Sequence, residues 1–437
     1  MIKFKIKNTI VFLILISLFF ILLFIGYNKI TGIILYLNIM LINIFLFTKA
    51  YRRKNSPLLI FFLFSLLYAY ALRYPLIDEL QISVYYYFND LDHIYKTSLL
   101  FYLFLIFLNL FIKIPKNPNK ILIKQKDNGL FFYVFLIISI IFMIRGKTGE
   151  NIFSGGYGTG LSSANSLNEY FLIPFFISII FSNNSKRKKI LLYIIAFIYA
   201  LKNILYGGRI EVMMIALCIF IWDFNIKLKP TTIILITLFS FYFFKIIGEI
   251  RQNPQLLFTS DWIYLFIPSF KTTNSTVVIS QEADVLYATN RLVSMVDERI
   301  INTIDRFKAF FYFILSIILP YSYLPDIANL ASYKRFDYNV GGGGLIFGWF
   351  YVYLSYIGVI LIAFYISKIL SKIGLNNEKG ISFINIYAVF VFMTMPRWFA
   401  YSPITMFKLS LYGASICFLV IGLDNMIKKY ISKKKTT

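Results

Sequence analysis

Long apolar runs, each about 20 residues and separated by short polar breaks, recur from one end of this chain to the other. No soluble fold of 437 residues has a core large enough to bury so many of them. They fall near residues 9–26, 32–48, 57–74, 96–112, 129–144, 167–182, 190–206, 210–223, 232–248, 346–367, 381–396 and 404–423, which predicts an all-α polytopic membrane protein of about twelve spans. Composition agrees, with 59% hydrophobic and only 15% charged residues.

Basic residues set the orientation. Lysines collect before the first run, at 49–54, 113–126, 186–189, 227–229 and 368–379, and in the tail from 428 to 435, so that every second break is basic. The positive-inside rule then places these breaks and both termini in the cytoplasm. Nearly all of the net charge of +24 falls on that side, so the charge is accounted for by topology and no nucleic-acid partner is expected. The first run is long and has no small-residue cleavage site after Gly26, which reads as a retained span.

The remaining reactive residues exclude several classes. Cys218 and Cys417 both lie inside apolar runs without partner spacing, and one histidine, His93, cannot build a histidine metal site. No Walker-type or dinucleotide-binding glycine pattern occurs, so neither a metal nor a cofactor is expected. Asp90-Leu91-Asp92 formally matches the carboxylate pair that holds a divalent ion in some sugar transferases, but a match of three residues arises readily by chance.

The alternation breaks once. Residues 249–345 contain no convincing span, which divides the chain into a first bundle (1–248), a large extracytoplasmic loop (249–345) and a last group of spans with a basic tail (346–437). Residues 309–319 are apolar but are cut short by Pro320 and Pro325 and read as a membrane-dipping or interfacial piece. Residues 290–306 read as one amphipathic helix.

Arginine runs against the lysine gradient. Arg73, Arg145, Arg209, Arg251, Arg291, Arg299, Arg306, Arg335 and Arg397 fall on the side expected to be outside. Guanidinium grips phosphate and carboxylate through a planar fork, so this excess points to an anionic ligand on the outer face. Arg73, Arg306 and Arg397 are accounted for as interfacial anchors or local pairs. Residues 205–212 (LYGGRIEV) place Arg209 and Glu211 just after a glycine turn between two spans. The glycines explain the turn, whereas a charged pair at membrane depth calls for a role. Residues 248–252 (GEIRQ) repeat the pairing with Glu249 and Arg251, where an interfacial salt bridge is the plain alternative. The four glycines at 341–344 could offer bare amides to an anion, although flexible glycine loops are common.

These stretches, YGGRIE at 206–211, GEIRQ at 248–252 and GGGGL at 341–345 running into FYVYLSYIG at 350–358, together with the architecture, resemble the Wzy-type O-antigen or oligosaccharide repeat-unit polymerases. The resemblance implies a membrane-embedded inverting glycosyltransferase. It would transfer a growing glycan from undecaprenyl pyrophosphate to another lipid-linked repeat unit at the outer face of the bacterial cytoplasmic membrane. Pyrophosphate binding is carried by position to Arg209 and Arg251, and further to Arg291, Arg299 and Arg335. Glu249 and Glu211 are the first candidates for the base that deprotonates the acceptor hydroxyl, followed by Asp297 or Glu298. Many members carry an acid in the span after the glycine run; residues 346–358 have none, so none is expected from that segment. The loop is large enough to dock a chain-length-regulating co-polymerase. A ligase acting on the same donor and a flippase for the same lipid-linked unit are the alternatives, the flippase disfavoured because the charge clusters in one outer loop and the halves show no repeat.

Overall fold

The computed structural model describes residues 2–80, 82, 91–115, 126–146, 166–183, 185–206, 208–224, 228–252, 281–330, 343–373 and 382–434, without the side chains of 2–8, 224, 245, 248–252, 281 and 433. In chain order its helices begin with α1 (Ile2–Ile25), α2 (Lys29–Arg52), α3 (Ser56–Ala71), α4 (Arg73–Leu76), α5 (Leu91–Phe111), α6 (Gly129–Arg145), α7 (Leu167–Tyr170), α8 (Leu172–Ile180) and α9 (Lys186–Leu205). They continue with α10 (Arg209–Ile219), α11 (Pro230–Gln252), α12 (Gln281–Asp297), α13 (Thr303–Ser316), α14 (Ile346–Leu370), α15 (Phe383–Met393), α16 (Met395–Ala400) and α17 (Ile404–Lys434). Among the described residues there is no strand, only an isolated bridge between Asp127 and Ser182.

Asparagine sets many of the helix starts. Asn28 accepts the Thr31 amide at 2.8 Å while Thr31 Oγ1 accepts the Asn28 amide at 2.8 Å, a reciprocal cap on α2. Asn55, Asn128 and Asn302 likewise accept amides of the first turns of α3, α6 and α13.

Among the described residues, five helical stretches are long and apolar enough to cross a membrane: Lys29–Arg52, Ser56–Leu76, Leu91–Phe111, Ile346–Leu370 and Ile404–Ser432. The other expected runs are helical as well, some of them in long helices and others in shorter or interrupted pieces. Residues 381–396 are not one rod, because the chain turns at Thr394 between α15 and α16. Residues 346–367 are broken as well, at Leu354 (φ −130°, ψ 18°) and Ser355 (φ 58°, ψ −149°).

The chain divides into two compact units, each assembled from separate stretches. The first comprises Met1–Asn117, Lys271–Ser371 and Arg397–Lys408. Its core is α5 against α14, with α12 packed on both. Phe101 and Phe347 stack at 4.9 Å, and a Cβ on Gly348 would lie 2.6 Å from Thr289 Cγ2, so α14 and α12 approach as closely as glycine allows. Here α12 is a packed core helix, with Leu286, Leu292, Val293 and Met295 all buried. The expected single helix over 290–306 is two helices. α12 ends at Asp297, Arg299 turns the chain with φ 56°, and the Asn302 cap starts α13. At 14 residues α13 is about 21 Å long, short of a hydrocarbon core of about 30 Å. Ala309, Phe313 and Ser316 are its buried face, while Ile304, Phe307, Phe311 and Ile314 are exposed.

The second unit comprises Pro118–Phe270, Lys372–Pro396 and Leu409–Thr437. Phe171 and Tyr199 stack at 3.9 Å between α8 and α9, and Gly413 lets α17 approach the Phe390 ring. Asp424 of α17, fully buried, is held by Lys126 (3.1 Å), Lys428 (3.1 Å) and Asn128 (2.9 Å).

Candidate functional site

The richest polar constellation in the first unit gathers on Asp297. This carboxylate ends α12, where its own helix supplies no cation. Lys96 of α5 meets it instead, Nζ to Oδ1 at 2.5 Å, with His93 Nε2 3.8 Å from Oδ2 one turn earlier. The Tyr351 hydroxyl of α14 donates to Oδ1 at 3.1 Å. The side chains of Asp297 and His93 are 19% and 16% exposed, so the cluster is largely withdrawn from solvent yet open on one side. The Lys96 ammonium also stands 5.3 Å from the centroid of the Tyr351 ring, and Tyr356 meets that ring edge-on at 5.5 Å.

The break in α14 shapes this site. In a continuous helix the carbonyls of Tyr351 and Val352 would accept from the amides four residues on. The break at Leu354 and Ser355 releases both, and an orphaned carbonyl in an apolar core costs several kcal/mol. Arg306 of α13 takes them: its Nε donates to Val352 O at 2.6 Å and its Nη2 to Tyr351 O at 2.9 Å, with Cζ 5.9 Å from the Tyr351 ring centroid. A cation there also faces the negative end of the first half-helix. Among the described residues Arg306 forms no ion pair, and its hydrogen bonds go to main-chain carbonyls.

The two described residues of the glycine run serve packing. Gly343 and Gly344 are buried, and the Gly344 amide donates to Ala400 O at 3.0 Å. A Cβ on Gly344 would come within 2.7 Å of Leu292 Cδ1. These glycines dock the 397–401 stretch, where Trp349 Nε1 also donates to Tyr401 O at 3.0 Å. Gly341 and Gly342 lie outside the described residues.

The other expected site residues distribute as follows. Arg291 lies on α12, part-exposed, less than two turns before Asp297, and Arg299 is exposed in the turn that follows. Arg209 and Glu211 belong to the second unit, in the first turn of α10. Arg209 Nη1 donates to Phe244 O at 3.3 Å, and Glu211 is only 8% exposed. Glu249 and Arg251 fall in the last turn of α11, but their side chains, like all of Arg335 and Asp90, lie outside the described residues. Asp92 opens α5 beside His93, and no group of three metal-ligating side chains occurs among the described residues.

Lys96, His93, Tyr351 and Arg306 were not singled out for this role from sequence. A signal was present for the first two, since two basic side chains three residues apart in the first turns of an apolar helix share one face. Nothing in the linear sequence marks the Arg306 partners, which are main-chain atoms exposed only by the break. No family model, curated protein or solved structure matches this chain.

Proposed function

We propose that the chain is a polymerase of lipid-linked oligosaccharide repeat units. It would work at the outer face of the bacterial cytoplasmic membrane and move a growing glycan from undecaprenyl pyrophosphate to a second lipid-linked unit. The observation that carries this reading is the Asp297 cluster: one carboxylate with a phenol and two basic side chains, beside an arginine fixed on a helix break. Inverting transfer needs a base on the acceptor hydroxyl and cations on the departing diphosphate. Asp297 takes the proton as the acceptor oxygen bonds to the anomeric carbon. The bond from that carbon to the diphosphate breaks, and Lys96 and Arg306, with Arg291, Arg299 and Arg335 as further candidates, offset the charge left on undecaprenyl pyrophosphate; Arg209 and Arg251, in the second unit, are separate candidates for holding a pyrophosphate. Asp297 ranks above Glu211 as base because Glu211 is almost closed to solvent.

The twelve-span topology, with α13 in the outer interface, is part of this proposal. It is supported by how charges pair. Lys126 with Asp424, Lys188 with Asp127 and Lys189 with Asp223 join residues expected inside. Lys29 with Glu79, Arg73 with Asp78 and Lys96 with Asp297 join residues expected outside.

A flippase for the same lipid-linked unit is the second reading, favoured by one observation: discontinuous helices commonly line transporter sites. Purified protein given a lipid-linked repeat unit separates the two. Glycan ladders formed without nucleotide or metal are the expected outcome, and their absence together with transbilayer movement of the unit would overturn the polymerase. In a deletion strain, Arg209→Ala or Arg251→Ala should leave surface glycan at a single repeat while the protein still inserts. Normal long polymer from both would remove the pyrophosphate role from those two arginines.

A further inference from the structure

Among the described residues, Arg306 uses one side of its fork. A guanidinium has five N–H donors, and the break takes the Nε and one Nη2 donor. The Nη1 edge has no hydrogen-bond partner among the described residues, and the side chain is only partly exposed. Its orientation is already fixed by two main-chain carbonyls, so an oxyanion that presents two oxygens to the free edge meets a donor pair needing little ordering. Lys96 also stands against the Tyr351 ring, which brings a second cation to the same phenol.

We infer that Arg306 is a positioning residue whose open edge makes the α14 break responsive to a diphosphate-type oxyanion. With the edge empty, the guanidinium holds the Tyr351 and Val352 carbonyls and so keeps the Tyr351 hydroxyl on Asp297. An oxyanion on the Nη1 edge restrains the guanidinium further and tightens this hold. Arrival of a charged head group is thereby transmitted through main-chain hydrogen bonds to the carboxylate. Gly358 lets the two halves of α14 meet, because a Cβ there would lie 2.0 Å from Phe350 O. Ser355, at φ 58°, is the strained residue that moves when the hold is lost. The inference rests on the polymerase reading for its meaning but not for its test.

The test uses the full chain in lipid nanodiscs with Ser355→Cys, the native Cys218 and Cys417 being fully buried. Maleimide alkylation of the new thiol reports opening of the break. Inorganic pyrophosphate should slow alkylation about threefold, whereas Arg306→Ala should raise the basal rate about tenfold and abolish the response. Arg306→Lys keeps the charge but lacks a second edge; it should restore slow alkylation without the pyrophosphate response. Lys308→Ala, on the same helix, controls for general loosening of α13 and should change neither. A pyrophosphate effect that persists in Arg306→Ala, or an alkylation rate indifferent to both pyrophosphate and Arg306, would overturn the inference. Ladder synthesis by a protein lacking the response removes the Arg306 inference alone, and a response without ladders removes the polymerase alone.

Discussion

Replacing Gly358 with alanine sets two effects of opposite sign against each other. In an unbroken helix, alanine in place of glycine stabilises by about 0.5–1 kcal/mol, because less backbone entropy is lost on folding. At the break the added Cβ would sit 2.0 Å from Phe350 O, 2.8 Å from Phe350 C and 3.1 Å from Leu354 Cβ. Phe350 lies eight residues earlier, about 12 Å away along a straight helix, so this contact exists only because the two halves fold toward each other. The two nearest atoms are main-chain and cannot rotate away. Relief requires a separation of roughly 1 Å or more, and overpacking on that scale costs about 3 kcal/mol. The net expectation is destabilisation by about 2 kcal/mol, near a thirtyfold fall in the ratio of folded to unfolded protein. Denaturant titration in mixed micelles, following tryptophan fluorescence and far-ultraviolet circular dichroism, measures this directly. A Gly358→Ala protein as stable as its parent, or more stable, would mean that α14 continues unbroken past Ser355.

Three further outcomes follow from the same geometry. Ser355→Gly should stabilise by about 1 kcal/mol in that titration, because φ 58° favours glycine. Asp424→Asn should destabilise by about 3 kcal/mol, leaving two lysines without their shared buried carboxylate, and adding Lys126→Met should recover much of the loss in a double-mutant cycle. In the ladder assay Asp297→Asn should slow polymerisation by about a hundredfold or more. Glu298→Gln, exposed one residue later, should stay within about threefold; equal losses from both would argue against a specific base.

Helix existence was readable wherever an apolar run exceeded a few turns, since hydrophobic length needs only local sequence. The asparagine caps of α2, α3 and α6 also sit where a local rule puts them. The break in α14 was not readable: FYVYLSYIG at 350–358 is as apolar as its surroundings, and Ser355 adopts a conformation that serine seldom takes without tertiary support. The second unreadable feature follows from the first. Arg306 has no carboxylate three or four residues away, and the partners it does have are main-chain carbonyls of residues 351 and 352. For Asp297 the sequence offered only a secondary candidate base, because its partners come from positions 93, 96 and 351.

Residues 346–358 contain no acidic residue, and the local geometry gives a physical reason for that. α14 contributes a phenol and two freed carbonyls at the break, and both kinds of group are satisfied from other helices. A carboxylate within the same stretch would stand beside those carbonyls and repel them, while competing with them for Arg306. With Asp297 on α12, the negative charge lies against Lys96 and the Tyr351 hydroxyl, and Arg306 stays with the main chain. Transporter breaks commonly leave helix ends open, and carbonyl ends coordinate cations. Here the carbonyls are already occupied by a side chain of the same protein, so the group left to meet a ligand is the outer edge of a guanidinium. That inverts the preference of the break from cations to anions, the sign that the proposed diphosphate leaving group would require.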